Sequence, residues 1–180
     1  MDSLDIQEVM RARQGDREAF TRLMRQLETP MYAVAKQIVQ RDEDCADAMQ
    51  ETVFIAYKSM YTLREPAYFR TWIIRILINE CRRLLKQRNK QVPLTDLSDK
   101  PSPSPEEDGG LELREAIDSL ELPMRLVVVL HYIQDLPIKE VARTLELSEG
   151  TVKSRLYRAR EKLLRWMEKS RGVESQYESR

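Results

Sequence analysis

The 180-residue chain has one histidine, two cysteines, five glycines and no net charge, its 30 Lys+Arg being matched by 30 Asp+Glu. Each shortage excludes something. His131 is alone, and it sits inside LVVVLHYI, a setting that suits a packed or partly exposed helix residue rather than a catalytic one. The few glycines form no phosphate-cradling loop, and no metal-ligand spacing occurs, so neither a catalytic residue nor a metal or cofactor is expected. Cys45 and Cys81 are too far apart for a Cys-x-x-Cys site. Their apolar neighbours suit small buried side chains in a reducing compartment better than a disulfide. No apolar run reaches membrane-spanning length, and MDSLDIQEVMRARQGD lacks the basic-then-apolar order of a signal peptide, so a soluble cytosolic or nuclear protein is expected. Strand-like alternation is scarce too, which leaves an all-α fold.

What is present is concentrated near the C-terminus. PIKEVARTLELSEGTVKSRLYRAREKLLRWMEK, residues 137–169, predicts a short helix, a tight turn and a long helix. Val141, Ala142, Leu145, Leu147, Val152 and Leu156 are placed to lock two crossed helices. Ser148 suits an N-cap, with Glu149 at the positive helix end. At 100° per residue, Val152, Leu156, Ala159, Leu163, Trp166 and Met167 form one apolar stripe. Thr151, Ser154, Arg155, Arg158, Lys162, Arg165 and Lys169 share an adjoining face, and Lys153 and Arg160 add further charge. Eight cations against two acids between Lys153 and Arg171 set the local field whatever the whole-chain total. A packed back with a basic front suits the DNA major groove, so the segment is a helix-turn-helix. Glu146 occupies the turn position that usually holds glycine, where a left-handed backbone would cost about 1 kcal/mol.

Residues 93–110, PLTDLSDKPSPSPEEDGG, hold four of the eight prolines, two glycines and five acids against one lysine. Such a segment cannot bury enough apolar surface to fold and predicts a flexible acidic linker. Fully extended, it reaches roughly 60 Å. The domains are therefore 1–92 and 111–172, with 173–180 as a tail. In the first, Phe20, Leu23, Met24 and Leu27 mark a helix that Pro30 interrupts or restarts. In the second, Leu113, Ala116, Ile117 and Leu120 share helical spacing. Pro123 then starts a helix carrying Leu126, Val127, Leu130 and Ile133.

Two further patterns carry chemistry. The helix from Phe69 is apolar nearly all round (Ile73, Ile74, Ile76, Leu77, Ile78, Cys81, Leu84, Leu85), which makes it central to its domain. One strip escapes: Trp72, Arg75, Asn79, Arg82, Arg83 and Lys86 fall within about a third of a turn. An aromatic among cations suits single-stranded nucleic acid, and a core tryptophan beside a solvated basic edge explains the pattern equally well. Asp44, Asp47 and Glu51 form an acidic stripe at i, i+3 and i+7. It is either a solvated face or a docking stripe for a basic protein surface.

These features together resemble the extracytoplasmic-function (ECF) sigma factors of bacterial RNA polymerase, from about Arg11 to Arg165. Asp44-x-x-Asp47-x-x-Gln50-Glu51 with Ala56-Tyr57 resembles the polymerase-binding helix. Phe69-Arg70-Thr71-Trp72-Ile73-x-Arg75-Ile76 with Asn79 resembles the helix that opens the promoter and reads its −10 element. Residues 147–155, LSEGTVKSR, with Arg158-Ala159-Arg160 resemble the helix that reads the −35 element.

The resemblance implies a factor that binds core RNA polymerase through Asp44, Asp47, Gln50 and Glu51, and many members are held by an anti-sigma factor. It implies −10 contacts from Arg64, Tyr68, Phe69, Trp72, Arg75, Asn79, Arg82 and Arg83. The loop Leu63–Tyr68 corresponds to the family's reader of a flipped base and carries Pro66 and Tyr68 here. The −35 contacts would come from Ser148, Thr151, Lys153, Ser154, Arg155, Arg158, Arg160 and Lys162, with Lys162 nearer phosphates. A stand-alone helix-turn-helix regulator and a helical adaptor are the competing readings.

Overall fold

The computed structural model describes residues 5–91 and 110–177, and among them every regular element is helical. The chain divides into two compact units, Met1–Pro101 and Ser102–Arg180. The division falls within the segment read as a linker, which lies outside the described residues except for Gly110.

Among the described residues, four α-helices build the N-terminal unit: α1 (Ile6–Arg13), α2 (Arg17–Val39), α3 (Asp42–Ser59) and α4 (Phe69–Gln91). Asp5 and Asp16 start α1 and α2 alike, their carboxylates accepting the Gln7 and Ala19 N–H groups at 2.9 and 3.0 Å. The Ala19 bond and then the Arg11 guanidinium, 2.6 Å from Asp16, hold the Asp16 carboxyl below its ordinary range. Gly15 supplies the φ of 99° that turns the chain between these helices.

Pro30 does not interrupt α2, which continues through it to Val39. A proline inside a helix costs about 3 kcal/mol. Here Leu27, Met31, Val34 and Ala35 on either side are all buried, and their packing outweighs the lost bond.

α4 is the central helix, packed by both α2 and α3, with Phe69, Ile73, Ile74, Leu77, Ile78 and Cys81 fully buried. The buried face of α3 is a seam of small side chains, Cys45, Ala48, Thr52 and Ala56. Small residues let two helix axes approach closely, and the Thr52 hydroxyl donates to the Ala48 carbonyl at 2.7 Å, so its burial leaves no unpaired donor. Both cysteines are free thiols. Desolvation drives Cys45 up to about 11 and Cys81 up to about 12.

The C-terminal unit comprises α5 (Gly110–Asp118), α6 (Leu122–Val128), which runs into a π-helical turn at Val129–Ile133, α7 (Ile138–Leu145) and α8 (Glu149–Tyr177). Arg125 of α6 is buried and donates to the carbonyls of Asp118 and Leu120 at 2.6 and 2.9 Å, closing the end of α5. The π turn carries one more residue than an α turn, and the inward face rolls accordingly. Ile133, expected in the core, is 48% exposed, while Gln134 is buried. Leu113 is exposed as well. α8 passes Gly172, where the sequence ends the domain, because one interior glycine costs only about 1 kcal/mol.

Candidate nucleic-acid interface

The helix-turn-helix of α7 and α8 closes on a left-handed residue. Glu146 has φ 56° and ψ 45°, and the N–H groups of Leu147 and Glu146 return to the Ala142 and Arg143 carbonyls at 2.9 and 3.4 Å. That pairing terminates α7 in a Schellman motif whose left-handed position is filled by glutamate instead of glycine. Ser148 then caps α8, its Oγ accepting the Thr151 N–H at 3.1 Å and sharing a 2.8 Å hydrogen bond with the Thr151 hydroxyl. Val152, Leu156 and Ala159 face the core as expected, but further along the stripe Leu163 and Trp166 are half-buried and Met167 is exposed.

The cations of α8 do not act as one face. Lys153, Ser154 and Arg158 are exposed, Thr151 and Arg155 half-buried. Arg160 differs: its Nε donates to the Tyr132 hydroxyl at 2.6 Å, its Nη2 bonds the same oxygen, and its guanidinium lies 5.5 Å from the ring centre. It also lies about 160° around the helix from Arg158. The side chain is exposed and already holds a partner within its own unit. Lys162 is exposed and holds Glu121 at 2.8 Å, a bond whose charge lowers the Glu121 carboxyl.

On α4, Arg75, Asn79, Arg82 and Lys86 are exposed along one side, with Trp72 half-buried at its head. The Trp72 ring leans on Phe69 at 6.1 Å between centres. Phe69 itself is 1% exposed and belongs to the core, which corrects its reading as a DNA contact. A phenylalanine at the first turn of a central helix packs inward because its neighbours Ile73 and Ile74 do. Arg83 pairs with Glu80 at 2.6 Å. The short 3-10 turn at Pro66–Tyr68 precedes α4, with Arg64 exposed and Tyr68 half-buried beside it.

The acidic stripe on α3 is mixed. Asp47 and Gln50 are exposed, Glu51 half-buried, and Asp44 sits 3.7 Å from Arg88 of α4. Continuing along the same face, Phe54 and Tyr57 are exposed, with Lys58 3.9 Å over the Phe54 ring. Phe54 was not singled out from sequence, although its spacing from Gln50 and Tyr57 puts it on that face. Among the described residues no group of three or more His, Cys, Asp or Glu side chains is gathered as for a metal ion.

Two family models match in order, Sigma-70 region 2 over residues 18–91 and Sigma-70 region 4 over residues 110–163. The ECF RNA polymerase sigma factor SigM of Mycobacterium tuberculosis is 31% identical over 84% of this chain and 78% of its own. The chain belongs to the ECF sigma factors. It is therefore a transcription-initiation factor and not an enzyme. The ECF sigma-E factor of Escherichia coli K12 is 28% identical over 85% of this chain and 88% of its own. Among solved structures, CnrH in complex with the cytosolic domain of CnrY covers 92% of this sigma factor and 97% of its own chain, at 25% identity and a TM-score of 0.70. RpoE of Bartonella quintana, solved with NepR, shares the fold at a TM-score of 0.69 and 19% identity, over 83% and 96% of the two chains. With this family membership, α3 and α4 belong to region 2, and α7 and α8 to region 4. Among the described residues, no helix is long and apolar enough to cross a membrane.

Proposed function

We propose that this ECF sigma factor recruits core RNA polymerase through the outer face of α3 and reads promoters at two separate points. Domains at 1–92 and 111–172 would each carry one point, joined by the acidic linker 93–110. The observation that carries this reading is that the helix-turn-helix leaves Thr151, Lys153, Ser154, Arg155 and Arg158 accessible on a helix held rigidly from behind. Arg155 and Arg158 suit guanine O6/N7 in the major groove of the −35 element, and Lys162 with Arg165 suits phosphates. The cationic strip on α4, with Trp72 at its head, suits a melted −10 strand, where a base stacked on an aromatic contributes about 1–3 kcal/mol. Flipping a base costs a few kcal/mol, which such stacking offsets.

On α3 the exposed acids and Gln50 would meet a basic coiled coil of the polymerase large subunit. Phe54 and Tyr57 add the apolar anchor that charge alone lacks. An anti-sigma protein would cover these same faces; CnrH, which this chain resembles, is itself solved with a protein partner, the cytosolic domain of CnrY. The site of action would be the cytoplasm, with the polymerase.

Combining the purified protein with bacterial core polymerase and genomic DNA, and sequencing run-off starts, tests the reading. Discrete starts that share two upstream motifs and vanish with Arg155→Ala/Arg158→Ala are expected. Absence of core binding and of specific starts, with no anti-sigma protein added, would favour a stand-alone regulator.

A further inference from the structure

The cap of α8 fixes what Thr151 can offer to DNA. Thr151 is the third residue of the helix, and its Oγ1 lies 2.8 Å from the Oγ of Ser148, which also accepts the Thr151 N–H at 3.1 Å. Two bonds between one pair of residues leave little rotation about the Thr151 Cα–Cβ bond. An oxygen held over the cap cannot also swing to a base edge, since that swing would turn the whole Cβ and break the bond. The substituent of Cβ that remains directed away from the cap is the Cγ2 methyl.

Neighbouring residues frame that methyl. Ser154 and Arg158 follow on the same side of α8, both exposed, and supply the polar contacts. Gly150 precedes Thr151 with open space around its Cα: an added Cβ would find only the Ser148 Oγ, at 3.8 Å. Gly150 thus puts no side chain beside Thr151 at the N-terminal end of α8.

In the major groove, the base feature that a methyl group recognises is the C5-methyl of thymine, which carries no hydrogen bond. We infer that Thr151 reads one thymine of the −35 element through methyl–methyl contact, and that Ser148 is the positioning residue that turns the methyl outward. The inference rests on the −35 reading of α8. It assigns Thr151 an apolar role where its residue type suggests a hydrogen bond.

The test uses the full-length chain with core polymerase on a promoter found by run-off mapping. Each thymine of the −35 element is replaced in turn by deoxyuridine, which differs only in the missing methyl. At one position this should weaken promoter binding by about fourfold, the worth of burying one methyl group. Thr151→Val, which keeps the methyl, should retain that sensitivity whatever its overall strength. Thr151→Ser should lose it. Ser148→Gly, a permissive cap without the hydroxyl, should reduce it. Thermal unfolding of each variant checks that the fold is intact.

If Thr151→Ser responds to deoxyuridine as the wild type does, or if no thymine is sensitive while Arg155 and Arg158 remain essential, the inference fails and the −35 reading stands. If promoter binding is indifferent to the −35 sequence and to Arg155 and Arg158, both fail together.

Discussion

Arg160 and Tyr132 are joined twice, by hydrogen bonds to the tyrosine oxygen and by the guanidinium lying over the ring. The pairing ties α8 to the π turn of α6 from the side opposite Arg158. Of two arginines spaced two residues apart, one is tied to a tyrosine and the other is exposed on a different side of the helix.

Arg158→Ala should lower transcription from a −35-dependent promoter by roughly fivefold to a hundredfold or more, in line with about 1–3 kcal/mol for a lost base contact. Arg160→Ala should leave promoter choice unchanged. Its effect should appear in thermal unfolding as a small loss, since an exposed polar pair contributes less than about 1 kcal/mol. Run-off yields and melting curves for both variants separate these outcomes. Equal loss of promoter selection would overturn the division of labour.

Arg125→Ala should be among the most damaging single changes in the C-terminal unit. The side chain is 9% exposed and donates to two carbonyls at the end of α5, so truncation leaves both without that donor and opens a void. A loss of about 2–4 kcal/mol is expected, from the hydrogen bonds and the packing together. Urea unfolding followed by circular dichroism measures it. Arg125→Lys should recover only part.

Cys45 and Cys81 should be inert in the native protein and react with thiol reagents only after unfolding. Burial raises them from the ordinary value near 9 to about 11 and about 12. The folded chain therefore keeps two protons that the unfolded chain releases first. Below pH 9 the thiols add no pH dependence. Above it, stability should fall with rising pH until the folded thiols ionise in turn. Thiol titration with and without urea, and stability measured from pH 8 to 11, check both statements. Rapid native labelling would contradict the buried seam.

Glu146→Gly should raise the melting temperature of the C-terminal unit. The residue holds φ 56°, a conformation that costs a non-glycine residue about 1 kcal/mol. Glycine relieves that cost but adds freedom to the unfolded chain, so the net gain should be a few tenths of a kcal/mol up to that limit. A fall in melting temperature would mean that the Glu146 side chain holds the turn through its own contacts.

The parts legible in the sequence were those set within one helix. Ser148 as cap, Glu146 as the left-handed residue, the inward stripe Val152–Leu156–Ala159 and the central position of α4 all follow from local spacing. What a helical wheel does not give is which neighbour lies opposite. Phe69 shares a helix with exposed cations, yet it is buried in the core. Arg160 carries the same charge as its neighbours, and its partner Tyr132 lies 28 residues away. Ile133 left the core because the π turn changed the count of residues per turn. Pro30 could be read as a break because the penalty is local, whereas the packing that outweighs it is spread over several helices.

The small-residue seam of α3 does more than fill space. Two helices packed across such side chains keep their axes at the short end of about 8–10 Å, and Asp44 to Arg88 adds a second tie between the same pair. The outer face of α3 and the cationic strip of α4 are thus cut into one solid piece, like two jaws of a fixed gauge. A protein that seated on the first face would thereby orient the second. Enlarging Ala48 or Ala56 would reset that gauge without touching either working surface.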